Sequence, residues 1–352
     1  MFKKEIKIQN RLISRNSPCF IVAELSANHK QDLSLAKETL YAIKESGADA
    51  VKFQTYRPDT TTIDCRNEYF VIKGTKLWDG QTLYDLYKKA YMPWEWHYEL
   101  KELAEKLGLV WFSSPFDFSA IDFLEKLNCP AYKIASFEIV DIPLIEYAAK
   151  TKKPLIISTG IARLDDIQEA LDACKRQNNF EVILLKCVSD YPTDYEDINL
   201  LTLKNMAETF DCLVGLSDHS KGIEVPVAAV TLGAKLVEKH FILSRNIDTP
   251  DKEFSLTPDE FKEMVRAIRN VEKALGKVTY ELTERQKKAR KLARSLFVVK
   301  DVKKGETFTL ENVRSIRPAD GLPPKYLKLI LGKKAKKDIK KGTPLSWELI
   351  DF

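Results

Sequence analysis

Short apolar runs recur between residues 20 and 241, and segments with the spacing of amphipathic helices separate them. Each run has the length of a buried strand. Strands that alternate with helices in this way predict βαβ units and a parallel sheet. The eight runs are residues 20–25, 49–54, 109–115, 131–136, 154–159, 182–187, 213–218 and 236–241.

Eight such units within residues 1–282 are typical of a (β/α)8 barrel, the TIM barrel. A doubly wound open sheet is the alternative. No glycine-rich G-x-G-x-x-G sequence follows the first run, which counts against a dinucleotide-binding version of that sheet. We therefore predict an α/β fold with a TIM barrel as the catalytic domain.

Residues 60–98 do not fit a regular unit, because they place a long aromatic-rich stretch after the second predicted strand. A loop at that point of a barrel lies on the face that carries the active site. The stretch is therefore either a substrate lid or a packed peripheral excursion. The aromatic candidates for a lid are Trp78, Tyr84, Trp94 and Trp96.

The pattern changes near the C-terminus. Residues 283–294 form a charged, helix-compatible linker, and two related lysine-rich segments follow, beginning at Lys300 and Lys337. Each has a turn with a glycine between short strand-like pieces, which predicts a small β-rich domain over residues 295–352. An RNA-binding surface is an alternative, but the aromatic residues of a stacking surface are missing, which favours a solvated lysine-rich surface.

The composition narrows the class of protein. The chain has 352 residues, 44% hydrophobic and 30% charged, which is ordinary for a globular protein of about two domains. No apolar run has the length of a membrane span or of a secretory signal, so we expect a cytoplasmic protein without membrane contact. The six cysteines form no C-x-x-C pair, and the net charge of +5 suits an anionic substrate without indicating nucleic acid.

Polar residues stand at the C-terminal ends of nearly all the predicted strands. In a barrel these positions face the active site. Charged groups inside apolar strands are costly unless they are paired or bound to a ligand, so their convergence predicts a catalytic centre. The set comprises Glu24, Lys52, Gln54, Ser113, Ser114, Lys133, Ser136, Ser158, Thr159, Lys186, Ser217, His219, Glu238 and His240.

Two of the four histidines, His219 and His240, end neighbouring strands. Imidazole nitrogens at that spacing predict a site for one divalent cation, with substrate or water completing its coordination. Such an ion would polarise a carbonyl oxygen. His29 and His97 have no partner of this kind, and each is either a packing residue or a contact to substrate.

The lysines at positions 52 and 133 require anionic partners. A substrate with phosphate and carboxylate groups would supply them, and the hydroxyls of Ser136, Ser158 and Ser217 would add contacts to phosphate oxygens. Pairing of the lysines with Glu24 and Glu238 is the structural alternative. Both arrangements are compatible in an enzyme without substrate.

These residues stand in phrases that resemble the sialic acid synthase family: AELSANH, ADAVKFQTY, FSSPFD, AYKIASFE, ISTGIA, GLSDHS and EKHF. The sequences GETFTLENVRSIRPADGLPP and LGKKAKKDIKKGTPL resemble that family's antifreeze-like (SAF, β-clip) domain. The resemblance runs from about residue 18 to the end of the chain. It implies an enzyme that condenses phosphoenolpyruvate with an amino-sugar aldehyde and releases phosphate by C–O cleavage.

Within the family, KGTKLWDGQTLYDLYKKAYMPWEWH and KIASFEIVD resemble the pseudaminic acid branch. Ser189 stands where N-acetylneuraminate synthases tend to have asparagine, which argues against N-acetylmannosamine as substrate. The implied sugar is 2,4-diacetamido-2,4,6-trideoxy-L-altrose. A synthase of N-acetylneuraminate or legionaminate that uses a related amino sugar is the alternative.

The resemblance also implies residue roles. His219 and His240 would bind the metal, with Mn2+ expected and Mg2+ or Co2+ as alternatives. Arg317 would reach into the partner's active site in a domain-swapped homodimer. Catalysis is assigned to Glu24, Lys52 and Lys133, phosphoenolpyruvate binding to Lys52, Lys133, Ser136, Ser158 and Ser217, and sugar binding to Gln54, Tyr191, Asp251 and Arg317.

Two rival functions remain at the level of the sequence. Lys186 lies within the sixth predicted strand, where a Schiff-base aldolase can carry its lysine. A non-catalytic sugar-binding protein built on the small domain is the other rival. The polar rim of the barrel favours an enzyme over that binding protein.

Overall fold

The computed structural model describes residues 1–74 and 78–352 of the chain. The chain divides into two compact units, Met1–Gly276 and Lys277–Phe352, each with its own hydrophobic core. Within the described residues, no helix is both long and apolar enough to cross a membrane.

An antiparallel hairpin of β1 (Glu5–Ile8) and β2 (Arg11–Ser14) begins the first unit. Its apolar side chains join the barrel core. The backbone N–H of Lys3 donates to the carbonyl of Phe180 at 2.9 Å, and Lys4 pairs with Asp211. The hairpin therefore covers the barrel at the N-terminal ends of its strands, opposite the expected active site.

Eight parallel strands close into a barrel in the order β10-β3-β4-β5-β6-β7-β8-β9. This confirms the predicted TIM barrel, and every strand overlaps one of the eight apolar runs. The strands read as continuous apolar runs because helices cover their outer faces, so both faces are buried. They are β3 (Phe20–Glu24), β4 (Ala50–Thr55), β5 (Val110–Pro115), β6 (Tyr132–Ile134), β7 (Leu155–Ser158), β8 (Val182–Lys186), β9 (Leu213–Asp218) and β10 (Leu236–His240).

Helices connect the strands and pack against the outside of the barrel. Local sequence sets their first turns: the carboxylate of Asp32 accepts from the N–H of Ser34 and Leu35 to cap the first helix. The helices of this unit are α1 (Leu33–Glu45), α2 (Pro58–Thr61), α3 (Leu83–Ala90), α4 (Trp96–Lys106), α5 (Phe118–Lys126), α6 (Ile142–Lys150), α7 (Leu164–Arg176), α8 (Thr202–Thr209), α9 (Glu224–Thr231) and α10 (Pro258–Leu275). Short 3-10 turns cover Ser136–Val140 and Tyr195–Asp197.

The aromatic insertion after β4 contains α2, α3 and an antiparallel bridge between Val71 and Thr82. Residues 75–77 of this insertion lie outside the described residues. Trp94 is fixed by a hydrogen bond and by packing. Its indole N–H donates to the carbonyl of Tyr56 at 3.1 Å, and its ring stacks on Phe123 with the ring centroids 4.7 Å apart.

The second unit is β-rich, and its charged N-terminal segment contains a helix α11 (Glu284–Arg290). Its two related segments pair reciprocally. Val302 and Ile339 exchange backbone hydrogen bonds of 2.9 and 2.8 Å, and the carboxylates of Asp301 and Asp338 each accept an N–H from the other segment's lysine turn at 2.8 Å. The elements are β11 (Ser295–Val298), β12 (Val313–Ile316), α12 (Leu327–Ile330), β13 (Lys334–Ala335) and β14 (Ile350–Asp351), with 3-10 turns at Pro324–Tyr326 and Trp347–Leu349.

Candidate active site

A cavity of about 360 Å³ lies at the C-terminal ends of the barrel strands. Most of the predicted site residues line it. Glu24 contacts one of the lining lysines, whereas Arg317 lies on the second unit, exposed in the loop after β12. The predicted residues that line the cavity are Lys52, Gln54, Lys133, Ser136, Ser158, Tyr191, Ser217, His219, Glu238, His240 and Asp251.

Two lysines and two carboxylates form the floor of the cavity. Parallel pairing in register brings the end of β3 beside β4, and the Lys52 Nζ lies 2.5 Å from Glu24 Oε2 and 2.9 Å from Glu238 Oε1. Lys133 Nζ lies 2.8 and 2.9 Å from the two oxygens of Glu238. All four side chains are buried. Buried charges are costly unless they are paired, and here two carboxylates offset two lysines.

Burial and charge act in opposite directions within this cluster. Burial lowers the pKa of Lys52 to about 7, against the opposing pull of Glu238. For Glu238, burial alone would raise the pKa, but Lys133 and Lys52 outweigh it and hold the pKa far below its usual range. Glu238 is therefore the permanent anion of the cluster, and Lys52 is the group whose charge an anionic ligand would reinforce.

Hydroxyl groups surround the lysines. Ser217 donates to Glu238 Oε1 at 3.2 Å, and Ser136 accepts the N–H of Gly160 at 3.1 Å. Among the described residues, the buried hydroxyl of Ser158 has no hydrogen-bond partner. A Cβ on Gly160 would lie 2.6 Å from the Ser136 oxygen, so glycine allows the backbone to approach these hydroxyls. The serines are placed to bind a multivalent oxyanion.

His219 and His240 lie side by side, with ring centroids 5.3 Å apart. His219 Nδ1 lies 2.9 Å from the carbonyl oxygen of Val188. Because a carbonyl only accepts, Nδ1 carries a proton, and Nε2 is the nitrogen that remains for a metal ion. Burial lowers the pKa of His240 to about 4. Among the described residues its buried Nδ1 has no hydrogen bond and lies 3.6 Å from Asp251 Oδ2.

Burial would lower the pKa of His219, but the neighbouring Cys187 outweighs it and raises that pKa. Two adjacent imidazoles fit a divalent ion as protein ligands, since a metal ion binds each through an unprotonated nitrogen. Within the described residues, no group of three or more His, Cys, Asp or Glu side chains has a metal-binding arrangement. The site therefore fits an ion that takes its other ligands from water or substrate, as the sequence predicts. The buried Nδ1 of His240, which has no hydrogen bond among the described residues, is the observation that favours this interpretation.

The loop that carries Asp251 is tied to the turn after β3. Asn28 donates to the carbonyl of Phe241 at 2.9 Å and to Ser255 at 2.8 Å, and it accepts from Thr249 at 2.7 Å. These bonds fix Asp251 beside His240. The network is fully buried, so it orders the wall of the cavity rather than its surface.

One wall of the cavity is apolar. Tyr56, Leu83, Leu86, Tyr87 and Phe116 line it, and α3 of the insertion supplies three of them. Of the four aromatic lid candidates, Trp78 lines the cavity. Trp94 and Trp96 instead pack against Phe123 and His29 respectively, and Tyr84 is not among the lining residues.

The sequence did not single out two further residues of the cavity: Ser26, and Glu138, which it included only as part of the segment 137–141 expected to influence the choice of sugar. Both line the cavity. Glu138 follows β6, and its Oε2 is buried without a hydrogen bond among the described residues. Burial raises its pKa to about 7, and Asp141 adds to the increase. The charged residue two positions after Ser136 was a signal for Glu138, whereas Ser26 gave no signal in the sequence.

The remaining candidates lie outside the cavity. Lys186 donates to the carbonyl of Cys187 at 3.1 Å and does not line the cavity, which counts against a Schiff-base role. His97 bonds to the hydroxyl of Thr55 at 2.8 Å, and His29 Nδ1 accepts the N–H of Gln31 at 3.0 Å. Burial lowers the pKa of both histidines to about 4, so both are neutral structural groups.

Comparison with known proteins gives two family matches: the NeuB family over residues 39–280 and the SAF domain over residues 293–351. The pseudaminic acid synthase of Helicobacter pylori is 54% identical over 95% of this chain and 98% of its own length. The pseudaminic acid synthase of Campylobacter jejuni is 49% identical over 93% of this chain and 95% of its own length.

The fold of this chain is also similar to that of a solved structure of a related enzyme. It is the N-acetylneuraminic acid synthetase of Leptospira borgpetersenii in complex with citrate, which is 32% identical with a TM-score of 0.73. The alignment covers 82% of this chain and 95% of that one.

Proposed function

This chain belongs to the NeuB family, and from that membership we propose that it is a pseudaminic acid synthase. It condenses phosphoenolpyruvate with 2,4-diacetamido-2,4,6-trideoxy-L-altrose and releases phosphate. The observation that carries the proposal is the buried cluster of Lys52, Lys133 and Glu238 beside the His219–His240 pair in one cavity.

Phosphoenolpyruvate fits the lysine end of the cavity. Lys52 and Lys133 offset its phosphate and carboxylate charges, and Ser136, Ser158 and Ser217 donate to its oxygens. In the absence of substrate Glu24 and Glu238 offset the charges of the two lysines. Arrival of the anion therefore strengthens the positive charge on Lys52, whose pKa burial has lowered.

The reaction forms one C–C bond and breaks one C–O bond. C3 of phosphoenolpyruvate attacks the aldehyde carbon of the sugar, and the aldehyde oxygen takes up a proton to become a hydroxyl. Water then adds to C2 and loses a proton, for which the carboxylate of Glu24 is the proposed acceptor. Loss of phosphate through the C2–O bond leaves the 2-keto acid, and the buried lysines stabilise the charge that develops on the leaving group.

The imidazoles of His219 and His240 would hold a divalent ion, for which we propose Mn2+. When bound, such an ion supplies Lewis-acid polarisation of the aldehyde. The chain's own contribution is to orient both imidazoles: His219 Nδ1 bonds to the Val188 carbonyl, and Asp251 lies against His240.

The sugar fits the outer part of the cavity. Gln54, Tyr191 and Asp251 provide polar groups there, and the apolar wall of Leu83 and Leu86 suits a sugar that carries a methyl group in place of the hydroxymethyl. A single such group in an apolar pocket changes binding by about 1–3 kcal/mol.

A substrate panel tests the proposal. Purified enzyme is given phosphoenolpyruvate with the altrose derivative, with N-acetylmannosamine or with the legionaminic acid precursor, and phosphate release and product mass are followed. We expect the highest kcat/KM with the altrose derivative. With 18O in the bridging position of phosphoenolpyruvate, the label should appear in the released phosphate. Equal efficiency on N-acetylmannosamine, or a label that stays in the sugar acid, would contradict the assignment.

Removal of the metal provides a separate prediction. We expect chelation to abolish product formation, and His219→Ala or His240→Ala to weaken Mn2+ binding by at least tenfold, since each removes one of two protein ligands. Equilibrium dialysis against Mn2+ measures the affinity independently of turnover. His97→Gln, a buried histidine outside the cavity, serves as the control, and Mn2+ affinity equal to wild type in the two alanine variants would refute the ligand assignment.

A further inference from the structure

Ser26 forms hydrogen bonds with three side chains of the candidate site, those of Glu24, Gln54 and Asp251. It lies two residues after Glu24 in the turn that follows β3, and it is buried. Its φ of 48° is in the left-handed region, which is sterically unfavourable for a residue with a side chain. Such a conformation persists where the surrounding contacts demand it, and it is concentrated at functional sites.

The left-handed turn directs the backbone of Ser26 towards Glu24. The N–H of Ser26 donates to Glu24 Oε1 at 2.7 Å. The other carboxylate oxygen of Glu24 faces Lys52. The backbone of Ser26 therefore fixes the rotation of the proposed base, and this part of its role does not depend on its side chain.

The hydroxyl of Ser26 has a single proton, and its neighbours determine where that proton goes. Asp251 Oδ2 is within hydrogen-bond distance as an acceptor of this proton. Ser26 must therefore donate to Asp251. The only role left for its oxygen is to accept, and the side-chain nitrogen of Gln54 lies 3.1 Å away as the donor.

We infer that Ser26 is a positioning residue that sets the polarity of Gln54 towards the sugar. An amide has an oxygen end and a nitrogen end of nearly the same shape, and an unrestrained glutamine can present either. Because Ser26 takes the nitrogen, the oxygen of Gln54 is the end left for the substrate. Gln54 then recognises a hydrogen-bond donor, which is a hydroxyl or an acetamido N–H of the sugar.

This inference rests on the proposed function, and Ser26→Ala and Ser26→Gly test it. Both variants lack the hydroxyl. We expect KM for the sugar to rise about five- to tenfold in each, the loss of roughly one oriented hydrogen bond. The affinity for phosphoenolpyruvate, measured by calorimetry without sugar, should stay at the wild-type value, because the lysine cluster does not depend on the hydroxyl.

The two variants separate the hydroxyl from the backbone. Alanine keeps the left-handed strain, whereas glycine removes it. Equal losses in both support the role of the hydroxyl, whereas wild-type KM in Ser26→Gly would assign the effect to the backbone and overturn the inference. Gln9→Gly is the matched control, because Gln9 also has a left-handed φ, of 50°, but is exposed in the β1–β2 turn. It should leave both KM values unchanged.

A double-mutant cycle tests whether Ser26 acts through Gln54. If it does, Ser26→Ala combined with Gln54→Ala should raise the sugar KM no further than Gln54→Ala alone. Additive losses would overturn the inference. A wild-type enzyme that fails to form product would instead refute the proposed function, whereas an active wild type with unchanged Ser26→Ala kinetics would refute only the role of Ser26.

Discussion

Glu138 is a single side chain whose charge depends on its surroundings. It lines the cavity near Lys52 and Lys133. Burial raises its pKa to about 7, so near neutral pH it exists in both protonated and ionised forms. A carboxyl group in that state can give or take a proton during the reaction.

The raised pKa predicts how stability changes with pH. The usual pKa of a glutamate is about 4.5, so between that pH and 7 the folded protein keeps a proton that the unfolded chain has lost. Stability from this group is therefore lost as the pH rises through that range. Glu138→Gln cannot ionise, and we expect its stability relative to wild type to improve by about 1–3 kcal/mol from pH 4.5 to pH 8.

Urea unfolding of both proteins at the two pH values measures this difference. Glu45→Gln, a substitution on the exposed end of α1, is the control for a general effect of losing a carboxylate. A stability difference between Glu138→Gln and wild type that does not change with pH would contradict the raised pKa.

At the scale of elements, the strands were predictable because of their burial. Parallel strands covered on both faces read as apolar runs, and period-two alternation correctly placed Lys52 with Gln54 and Glu238 with His240 on the cavity side. The contacts of Ser26 were not predictable. Its hydrogen bond to Asp251 joins residues 225 positions apart, and no local pattern specifies which loops of a barrel meet.

The contacts within the aromatic insertion could not be predicted from the sequence either. Its length indicated a loop on the active face, and α3 does supply part of the cavity wall. Which aromatic residues face the cavity depends on how the insertion folds back. Trp94 has its N–H bound to the Tyr56 carbonyl, and a sequence of alternating aromatic and polar residues does not distinguish that anchor from a lid.

A buried ion pair connects the two strands that carry the histidines, β9 and β10. Lys239 on β10 lies in register with Asp218 on β9, and its Nζ lies 2.5 Å from Asp218 Oδ2. Both are buried. Lys239→Met leaves Asp218 uncompensated, and we expect a loss of about 3–5 kcal/mol in stability.

The double variant Lys239→Met with Asp218→Asn separates charge from packing. It removes both charges, so much of the stability should return if the cost comes from the unpaired carboxylate. Chemical denaturation of the single and double variants provides the comparison. A Lys239→Met protein as stable as wild type would mean that the pair does not hold the strands.

At the scale of the whole molecule, the second unit raises the question of assembly. Its Arg317 is exposed in the loop after β12. We propose that the enzyme is a domain-swapped homodimer, in which Arg317 completes the sugar site of the partner subunit. Its guanidinium would donate to the hydroxyls or amide oxygens of the sugar.

Mixing inactive subunits tests this exchange. One subunit carries His219→Ala and the other Arg317→Ala. In a heterodimer, an arginine that acts across the dimer leaves one site with neither lesion, so activity should return. Verified heterodimers without activity would exclude the exchange, and homodimers of each variant serve as controls for residual turnover.

Strand β4 carries Lys52 and Gln54 on the same side of the barrel but at different depths. Two residues along a strand are separated by about 6.6 Å, and Lys52 is buried while Gln54 is partly exposed. A sugar seated on Gln54 therefore stands between solvent and the lysines. The enzyme should have a compulsory order of addition in which phosphoenolpyruvate enters before the sugar. A reduced, unreactive sugar alcohol should then inhibit uncompetitively against phosphoenolpyruvate. Noncompetitive inhibition would mean that the two substrates reach their sites independently, and either that or competitive inhibition would contradict the order.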